Sequence, residues 1–309
     1  MKLTSTIFVL VAIISVSIAG AAVSAVPSSN LDKRQNASPE ILSNLSYLFG
    51  WQMVGAAGTP VELISACNDI STLGHGIWAE MGLFPSSIIV PICGTPEPNA
   101  TAARINSVRY TTGMFMTLLL SSFTGTDNFN YICTSLNFDL VDQFAIDSQA
   151  LSKAVCQRAG APLQPVPATT PPDSKTSPQA VKAAQNMLSV LYANILAAGA
   201  YTVEDLSDLC EAAPEHVEGF NEQFLNGELV QEWLCDFTEP ITVLDAKAAV
   251  VDWTSRYFVA VVESISTVNN WLDWLCKSVN FENMAIVGLD PNYVTDQICA
   301  DAGGSEKDV

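Results

Sequence analysis

The eight cysteines of this chain fall into two sets of four with almost the same spacing. Each cysteine of the first set has a counterpart 142 or 143 residues later, and together they are all the cysteines in the chain: Cys67, Cys93, Cys133 and Cys156, then Cys210, Cys235, Cys276 and Cys299. Self-similarity at a fixed period indicates an internal repeat. The spacing therefore predicts a tandem duplication of one unit that carries four cysteines.

The residues around the cysteines repeat as well. Residues 133–139 read CTSLNFD and residues 276–282 read CKSVNFE. Residues 104–133 align with 247–276 without a gap, which pairs Phe115 with Phe258. We therefore expect both copies to adopt the same fold.

The N-terminus predicts export from the cell. Residues 1–25 have a lysine near the start, an apolar stretch and small residues before the expected cleavage site, as a signal peptide does. Residues 26–34 form an expected propeptide that ends in Lys33-Arg34. This dibasic pair resembles the site of a Kex2-type processing protease, which implies a fungal secretory pathway. The mature chain would begin at Gln35 and be secreted to the extracellular space.

Oxidised cysteines and glycans fit that destination. Cysteines of an exported chain are expected to form disulfides, and four per copy allow closed pairing within each copy. Three connectivities per copy are possible, and the spacing does not choose among them. Asn36, Asn44 and Asn99 lie in glycosylation sequons, all in the first copy. The sequence therefore predicts a secreted glycoprotein stabilised by disulfide bonds.

A proline-rich segment separates the two copies. Residues 164–177 contain a run of prolines that favours extended geometry rather than a packed core. We call residues 35–163 copy 1 and residues 178–309 copy 2. Each spans about 130 residues, which is enough to bury its own core with help from disulfides. The prediction is two helical four-cysteine domains joined by a linker.

The local pattern predicts an all-α fold with about five to six helices per copy. Helix-start signals repeat at equivalent positions, with Thr59 and Glu62 forming a capping-box pattern in copy 1 and Thr202 and Asp205 in copy 2. Apolar residues recur at helical spacing in both copies, and strand-like runs are missing apart from an ambiguous one at residues 88–90. Pro214 is expected to interrupt one helix of copy 2.

The charge is strongly negative, at −19 for the whole chain. Such a chain repels nucleic acid, which we exclude as a partner. Within residues 204–222, six glutamates and aspartates follow one another at intervals of three or four, which predicts solvated helix faces. The apolar runs of the mature chain are too short to cross a bilayer, so we expect no transmembrane anchor.

Catalytic patterns are missing from the sequence. Neither of its two histidines, His75 and His216, has a sequence neighbour that forms a catalytic or zinc-binding motif. Disulfide formation would occupy every cysteine, which removes thiol nucleophiles. Paired carboxylates leave open a carboxylate-based hydrolase as the residual enzymatic alternative. The sequence thus predicts a non-enzymatic protein without a metal or a cofactor.

One helix of copy 1 is apolar nearly all round and contains Met114, Phe115 and Met116. Because methionine adapts its shape, this stretch predicts the wall of an apolar ligand cavity. Trp78 and Phe258 complete the expected ligand-binding set. The first functional hypothesis is therefore a secreted protein that holds a sterol or fatty acid. The alternative is an extracellular or host-directed, effector-like protein that binds another protein and no small molecule.

Overall fold

The computed structural model describes residues 38–73, 78, 83–160, 178–200, 202–241, 243–265 and 270–301. The predicted signal peptide, propeptide and linker lie outside these ranges, as do Asn36 and His75. Within these ranges the secondary structure is helical and contains no β-strand. The all-α prediction is confirmed.

In copy 1 the described residues form six α-helices and one 3₁₀ segment, Phe138–Phe144, which precedes the last helix. The helices are α1 (Pro39–Ala56), α2 (Pro60–Leu73), α3 (Pro85–Gly94), α4 (Ala100–Ser122), α5 (Thr126–Ser135) and α6 (Ser148–Arg158).

Copy 2 repeats this order within the part of it that the structure describes. Its helices are α7 (Pro178–Gly199), α8 (Val203–Asn221), α9 (Gly227–Asp236), α10 (Val243–Ser264), α11 (Trp271–Ser278), α12 (Phe281–Met284) and α13 (Pro291–Asp301). The short α12 takes the place of the 3₁₀ segment of copy 1.

The predicted capping boxes are present in both copies. In copy 1 the Thr59 amide donates to Glu62 Oε2 at 2.7 Å, and the Glu62 amide donates to Thr59 Oγ1 at 3.3 Å. In copy 2 the Thr202 amide donates to Asp205 Oδ2 at 2.9 Å, and the Asp205 amide donates to Thr202 Oγ1 at 3.1 Å. Each box satisfies two backbone donors that a helix N-terminus would otherwise leave unpaired.

The predicted break at Pro214 is wrong. Helix α8 runs without interruption from Val203 to Asn221 with Pro214 inside it. A proline in a helix interior costs about 3 kcal/mol through a lost hydrogen bond and a steric clash. Packing of α8 against α9, reinforced by the Cys210–Cys235 bridge, keeps the helix continuous despite that cost.

All eight cysteines form disulfides, and the connectivity is the same in both copies. The first cysteine of each copy pairs with the second and the third with the fourth: Cys67–Cys93, Cys133–Cys156, Cys210–Cys235 and Cys276–Cys299. The bonded residues are 23 to 26 positions apart. Each bridge therefore joins two helices of one copy, and no disulfide joins the copies.

The compact units of the structure combine parts of both copies. Unit 1 contains the described residues of Leu42–Tyr110 and Gln185–Val250, and unit 2 those of Thr111–Ala184 and Val251–Val309 together with residues 38–41. Each unit thus takes a segment from copy 1 and the equivalent segment from copy 2. The contacts do not follow the predicted division into one compact domain per copy.

In unit 1, equivalent aromatic residues of the two copies pack against each other. The rings of Phe49 and Tyr192, which are 143 positions apart, have centroids 5.1 Å from each other. Phe49 also contacts Trp78 at 5.0 Å, and Tyr192 contacts Phe220 at 5.4 Å. These four buried rings form a continuous aromatic core to which each copy contributes two.

Unit 2 repeats this arrangement with different residues. Phe115 contacts its equivalent Phe258 with ring centroids 6.0 Å apart, and Tyr131 lies 4.4 Å from its equivalent Trp274.

Two backbone hydrogen bonds in unit 2 are reciprocal. The amide of Asn137 donates to the carbonyl of Ile265 at 3.0 Å, and the amide of Asn280 donates to the carbonyl of Ser122 at 2.9 Å. The two donors are 143 positions apart, and so are the two acceptors. Each bond is therefore the counterpart of the other in the repeat. Such reciprocity is the property of an isologous interface between identical subunits.

Inside each copy, buried hydroxyls hold equivalent loops. Ser46 Oγ accepts from the Phe84 amide at 2.9 Å, and its counterpart Ser189 Oγ accepts from the Asn226 amide at 2.7 Å. In unit 2, Thr112 and Ser255 accept in the same way from the amides that open α6 and α13, both at 2.7 Å. The duplication is therefore retained in side-chain hydrogen bonds as well as in the disulfides.

Because copy–copy contacts are non-covalent and extensive within each unit, cutting the chain between the copies should not separate them. The test is to place a protease site in residues 164–177 of the full chain and to cleave it there. Under non-reducing conditions, we expect the cleaved protein to elute as one species with the mass of the uncut chain. A denaturing gel without reductant should show two fragments, since no disulfide joins them. Elution of two separate native fragments would contradict the shared cores.

A close helix crossing in unit 1 gives a second prediction. A Cβ on Gly219 would lie 2.7 Å from the Gly55 carbonyl oxygen, whereas a Cβ on Gly199 would have no atom within 4 Å. Gly219→Ala should therefore lower the free energy of unfolding by about 1–3 kcal/mol, because backbone must shift to accept it. Gly199→Ala should change it by less than about 0.5 kcal/mol. Urea unfolding of both full-length variants checks this, and equal midpoints would refute it.

Candidate functional site

The residues predicted to line a ligand cavity lie in two different units. Met114, Phe115 and Phe258 are buried in unit 2, where Phe115 packs against both Phe258 and Tyr257. Met116 is half-buried on the same helix. Trp78 belongs to unit 1 and contacts Phe49. The structure thus brings Phe115 and Phe258 together within unit 2, whereas Trp78 belongs to unit 1.

Unit 1 contains a small cavity among buried side chains where α1 meets α7. Its volume is about 10 Å³ of space for the centre of a water-sized sphere. Four equivalent pairs line it, each pair 143 positions apart: Leu45 and Leu188, Leu48 and Leu191, Phe49 and Tyr192, and Gln52 and Ile195. The wall is therefore built from equivalent positions of the two copies. Its two polar side chains, Gln52 and Tyr192, have apolar residues at the equivalent positions of the other copy.

Several buried polar atoms of unit 1 have no hydrogen-bond partner among the described residues. They include Gln52 Nε2, Trp78 Nε1, Tyr192 Oη, Gln223 Oε1 and both ring nitrogens of His216. His216 contacts Phe220 edge-on within this core. Leu73 occupies the equivalent sequence position in copy 1, so the histidine replaces an apolar residue of the repeat.

Two acid positions that both copies share serve as helix caps. Glu62 and Asp205 complete the capping boxes described above. Asp147 Oδ1 accepts from the Ala150 amide at 2.9 Å, and Asp290 Oδ1 accepts from the Asn292 amide at 3.0 Å. These four carboxylates therefore have structural roles at helix N-termini.

The first disulfide of each copy joins a pair of equivalent helices whose surfaces have diverged. On the α2–α3 hairpin, the side chains of Val61, Ile64 and Val90 are 66%, 60% and 57% exposed. The equivalent residues of the α8–α9 hairpin are Glu204, Ser207 and Glu232, which are also exposed. At these three positions the same scaffold thus carries apolar residues in copy 1 and polar or acidic residues in copy 2.

The α8–α9 hairpin is rich in acidic residues. Residues 203–239 contain eleven carboxylates and no lysine or arginine. Glu211, Glu215, Glu218 and Glu222 are exposed, as predicted for a solvated face. Trp233 lies half-exposed on α9 and contacts Phe237 at 6.1 Å.

The predicted glycosylation positions differ in their surroundings. Asn99 is exposed, and its side-chain oxygen accepts from the Ala102 amide at the start of α4. Asn44 is half-buried inside α1, and Ser46 of its sequon is buried and bonded to Leu42 O.

Reasoning from one copy at a time missed the cavity and the diverged hairpins. Both emerge when each residue is compared with its counterpart 142 or 143 positions away. Phe49 against Tyr192, Gln52 against Ile195, and Val61 against Glu204 are differences that the sequence already contains. The signal was present, but only the structure indicates which of the differences face the core and which face solvent.

The buried Tyr257 gives a pH-dependent prediction for unit 2. Its hydroxyl donates to the Phe144 carbonyl at 2.6 Å, and burial raises its pKa well above the ordinary value near 10. Above pH 10 the unfolded chain loses a proton that the folded chain keeps. The free energy of unfolding should then fall as pH rises, by about 1.4 kcal/mol per pH unit for this group.

Tyr257→Phe should therefore have two effects. At pH 7 it should lower the free energy of unfolding by about 1–3 kcal/mol, because the hydrogen bond is lost. Between pH 10 and 11 the stability of the variant should fall less steeply with pH than that of the wild type. Some decrease should remain, because burial also raises the pKa of Tyr192. Urea unfolding at several pH values measures both effects, and parallel pH dependences would show that Tyr257 is not the titrating group.

No cluster of three or more histidine, cysteine, aspartate or glutamate residues in the described ranges could hold a metal ion. None of the described helices combines the length and apolar character needed to cross a membrane. Comparisons with protein-family models, curated proteins and solved structures found no match to this chain.

Proposed function

We propose that this chain is a secreted, non-catalytic binding protein that acts through its surface on another extracellular protein. The four disulfides fit an extracellular protein. The signal-peptide pattern and the dibasic Lys33-Arg34 pair support secretion through a fungal pathway.

The tight packing at two places in the described residues is the observation that carries this proposal. Pockets for small molecules usually measure about 300–1,000 Å³. The cavity in unit 1 offers about 10 Å³, which is far too little for a sterol or a fatty acid. In unit 2 the expected cavity wall at Phe115 packs directly against Phe258 and Tyr257. Surface binding is therefore favoured over enclosure of an apolar ligand.

The bonding of the cysteines and of four shared acids supports a non-catalytic role. Every cysteine is in a disulfide, so none supplies a thiolate. Two of the acid pairs that the copies share are engaged in helix capping. A carboxylate-based hydrolase would need a pair of acids free to act on a substrate.

The α2–α3 hairpin is the best contact surface for a partner. Its exposed Val61, Ile64 and Val90 are not required by the scaffold, because the homologous hairpin of copy 2 has Glu204, Ser207 and Glu232 at these positions. These exposed apolar residues, which the fold does not require, support an interaction surface on this hairpin. The strongly negative charge of the chain would speed the approach of a partner with a basic rim.

The copy 2 residues supply the variant for the test. Full-length protein with Val61→Glu, Ile64→Ser and Val90→Glu should keep its melting temperature, since the homologous hairpin tolerates these residues. It should bind the partner at least tenfold more weakly than the wild type, which corresponds to about 1.4 kcal/mol. Ile286→Gln, which puts the copy 1 residue Gln143 at another exposed apolar position, is the matched control and should bind normally.

The experiment immobilises the wild type, the triple variant and the control, and identifies the proteins that each captures from extracellular fluid. The affinity of each captured protein for the three forms is then measured. A partner that binds the wild type and the control but not the triple variant supports the proposal. Titration of the full chain with a fluorescent sterol and a fluorescent fatty acid tests the first hypothesis in parallel. Saturable binding of either probe at micromolar concentration, unchanged in the triple variant, would restore the apolar-ligand function instead.

A further inference from the structure

The cavity of unit 1 combines a symmetric wall with an asymmetric pair of polar side chains. Gln52 comes from copy 1 and Tyr192 from copy 2, and each is only 2% exposed. Their equivalents in the other copy, Ile195 and Phe49, are apolar. Each copy has therefore placed one polar side chain in a wall that is otherwise apolar.

Neither polar side chain is fully satisfied by the protein. Gln52 Nε2 and Tyr192 Oη have no hydrogen-bond partner within the described part of the chain. Buried amide and hydroxyl groups are costly unless they are hydrogen-bonded, and native proteins almost always give them a protein or water partner. The residues that carry these two atoms line the same cavity, and this favours a shared partner inside it.

We propose that this cavity is a binding site for one structural water molecule, which links Gln52 of copy 1 to Tyr192 of copy 2. The water would accept a hydrogen bond from the Gln52 side-chain amide and exchange a second one with the Tyr192 hydroxyl. The available 10 Å³ matches the roughly 10–15 Å³ that a single water requires. Burial also raises the pKa of Tyr192, which keeps its hydroxyl protonated and able to donate.

The equivalent residues of the other copy provide the variants for a double-mutant cycle in the full chain. Gln52→Ile takes the residue found at position 195, and Tyr192→Phe takes the residue found at position 49. If a water bridges the two groups, each single substitution leaves the other group and the water with one partner fewer. Each should then lower the melting temperature by about 2–4 °C, and the double variant should recover most of that loss.

The opposite sign is expected if the two atoms are simply unpaired. Each single substitution would then remove a buried unsatisfied group, so each would raise the melting temperature and the two effects would add. That result would overturn the proposal. Gln52→Met, which is unbranched, separates the loss of polarity from any crowding by isoleucine. Tyr257→Phe serves as the control, because its hydroxyl already bonds to Phe144 and should show no coupling to Gln52.

A direct readout does not depend on stability. A high-resolution crystal structure of the wild-type chain should contain electron density within hydrogen-bonding distance of both Gln52 Nε2 and Tyr192 Oη, and the double variant should not. Magnetisation transfer from a long-lived water to the Tyr192 ring protons should likewise be seen in the wild type alone. A dry cavity in the wild-type crystal structure, with no transfer in solution, would refute the water site.

Discussion

The contact between equivalent residues of the two copies is the interaction on which the rest of the structure depends. Phe49 packs on Tyr192 in unit 1, and Phe115 packs on Phe258 in unit 2. Burying an aromatic side chain removes roughly 150–250 Å² from water, so each of these rings makes a large apolar contribution to its unit. A copy without its counterpart would expose the faces that now pack against each other. The duplication is therefore part of how this chain obtains a core.

The disulfides act at a shorter range than these contacts. Each one closes a loop of about 25 residues within one copy, which in the chain-entropy model contributes roughly 3–4 kcal/mol by restricting the unfolded chain. They hold pairs of neighbouring helices together but do not determine how one copy meets the other. Covalent bonds thus stabilise the helix pairs, whereas the association of the copies depends on apolar packing and on the reciprocal hydrogen bonds at Asn137 and Asn280.

Local features were predictable from the sequence because their causes are local. The capping boxes at Thr59 and Thr202 depend on residues three positions apart, and they form as expected. Periodicity identifies the apolar face of a helix but not its partner, so the sharing of cores between copies could not be read from Phe115 or Phe258 alone. Pro214 illustrates the same limit, because tertiary packing there overrides a strong local preference. The ligand-binding role assigned to Met114 and Met116 stays a prediction.

The diverged hairpins have a consequence for how such a chain can evolve. In a dimer of identical subunits, every substitution occurs twice, so an apolar residue gained for recognition is displayed on both faces and promotes aggregation. When the two subunits are joined in one chain, each position mutates independently. Val61 and Glu204 are equivalent in the scaffold yet opposite in character, which a homodimer could not achieve. Joining the copies in one chain lets equivalent surfaces carry different residues, so an exposed apolar residue on one hairpin is not repeated on the other.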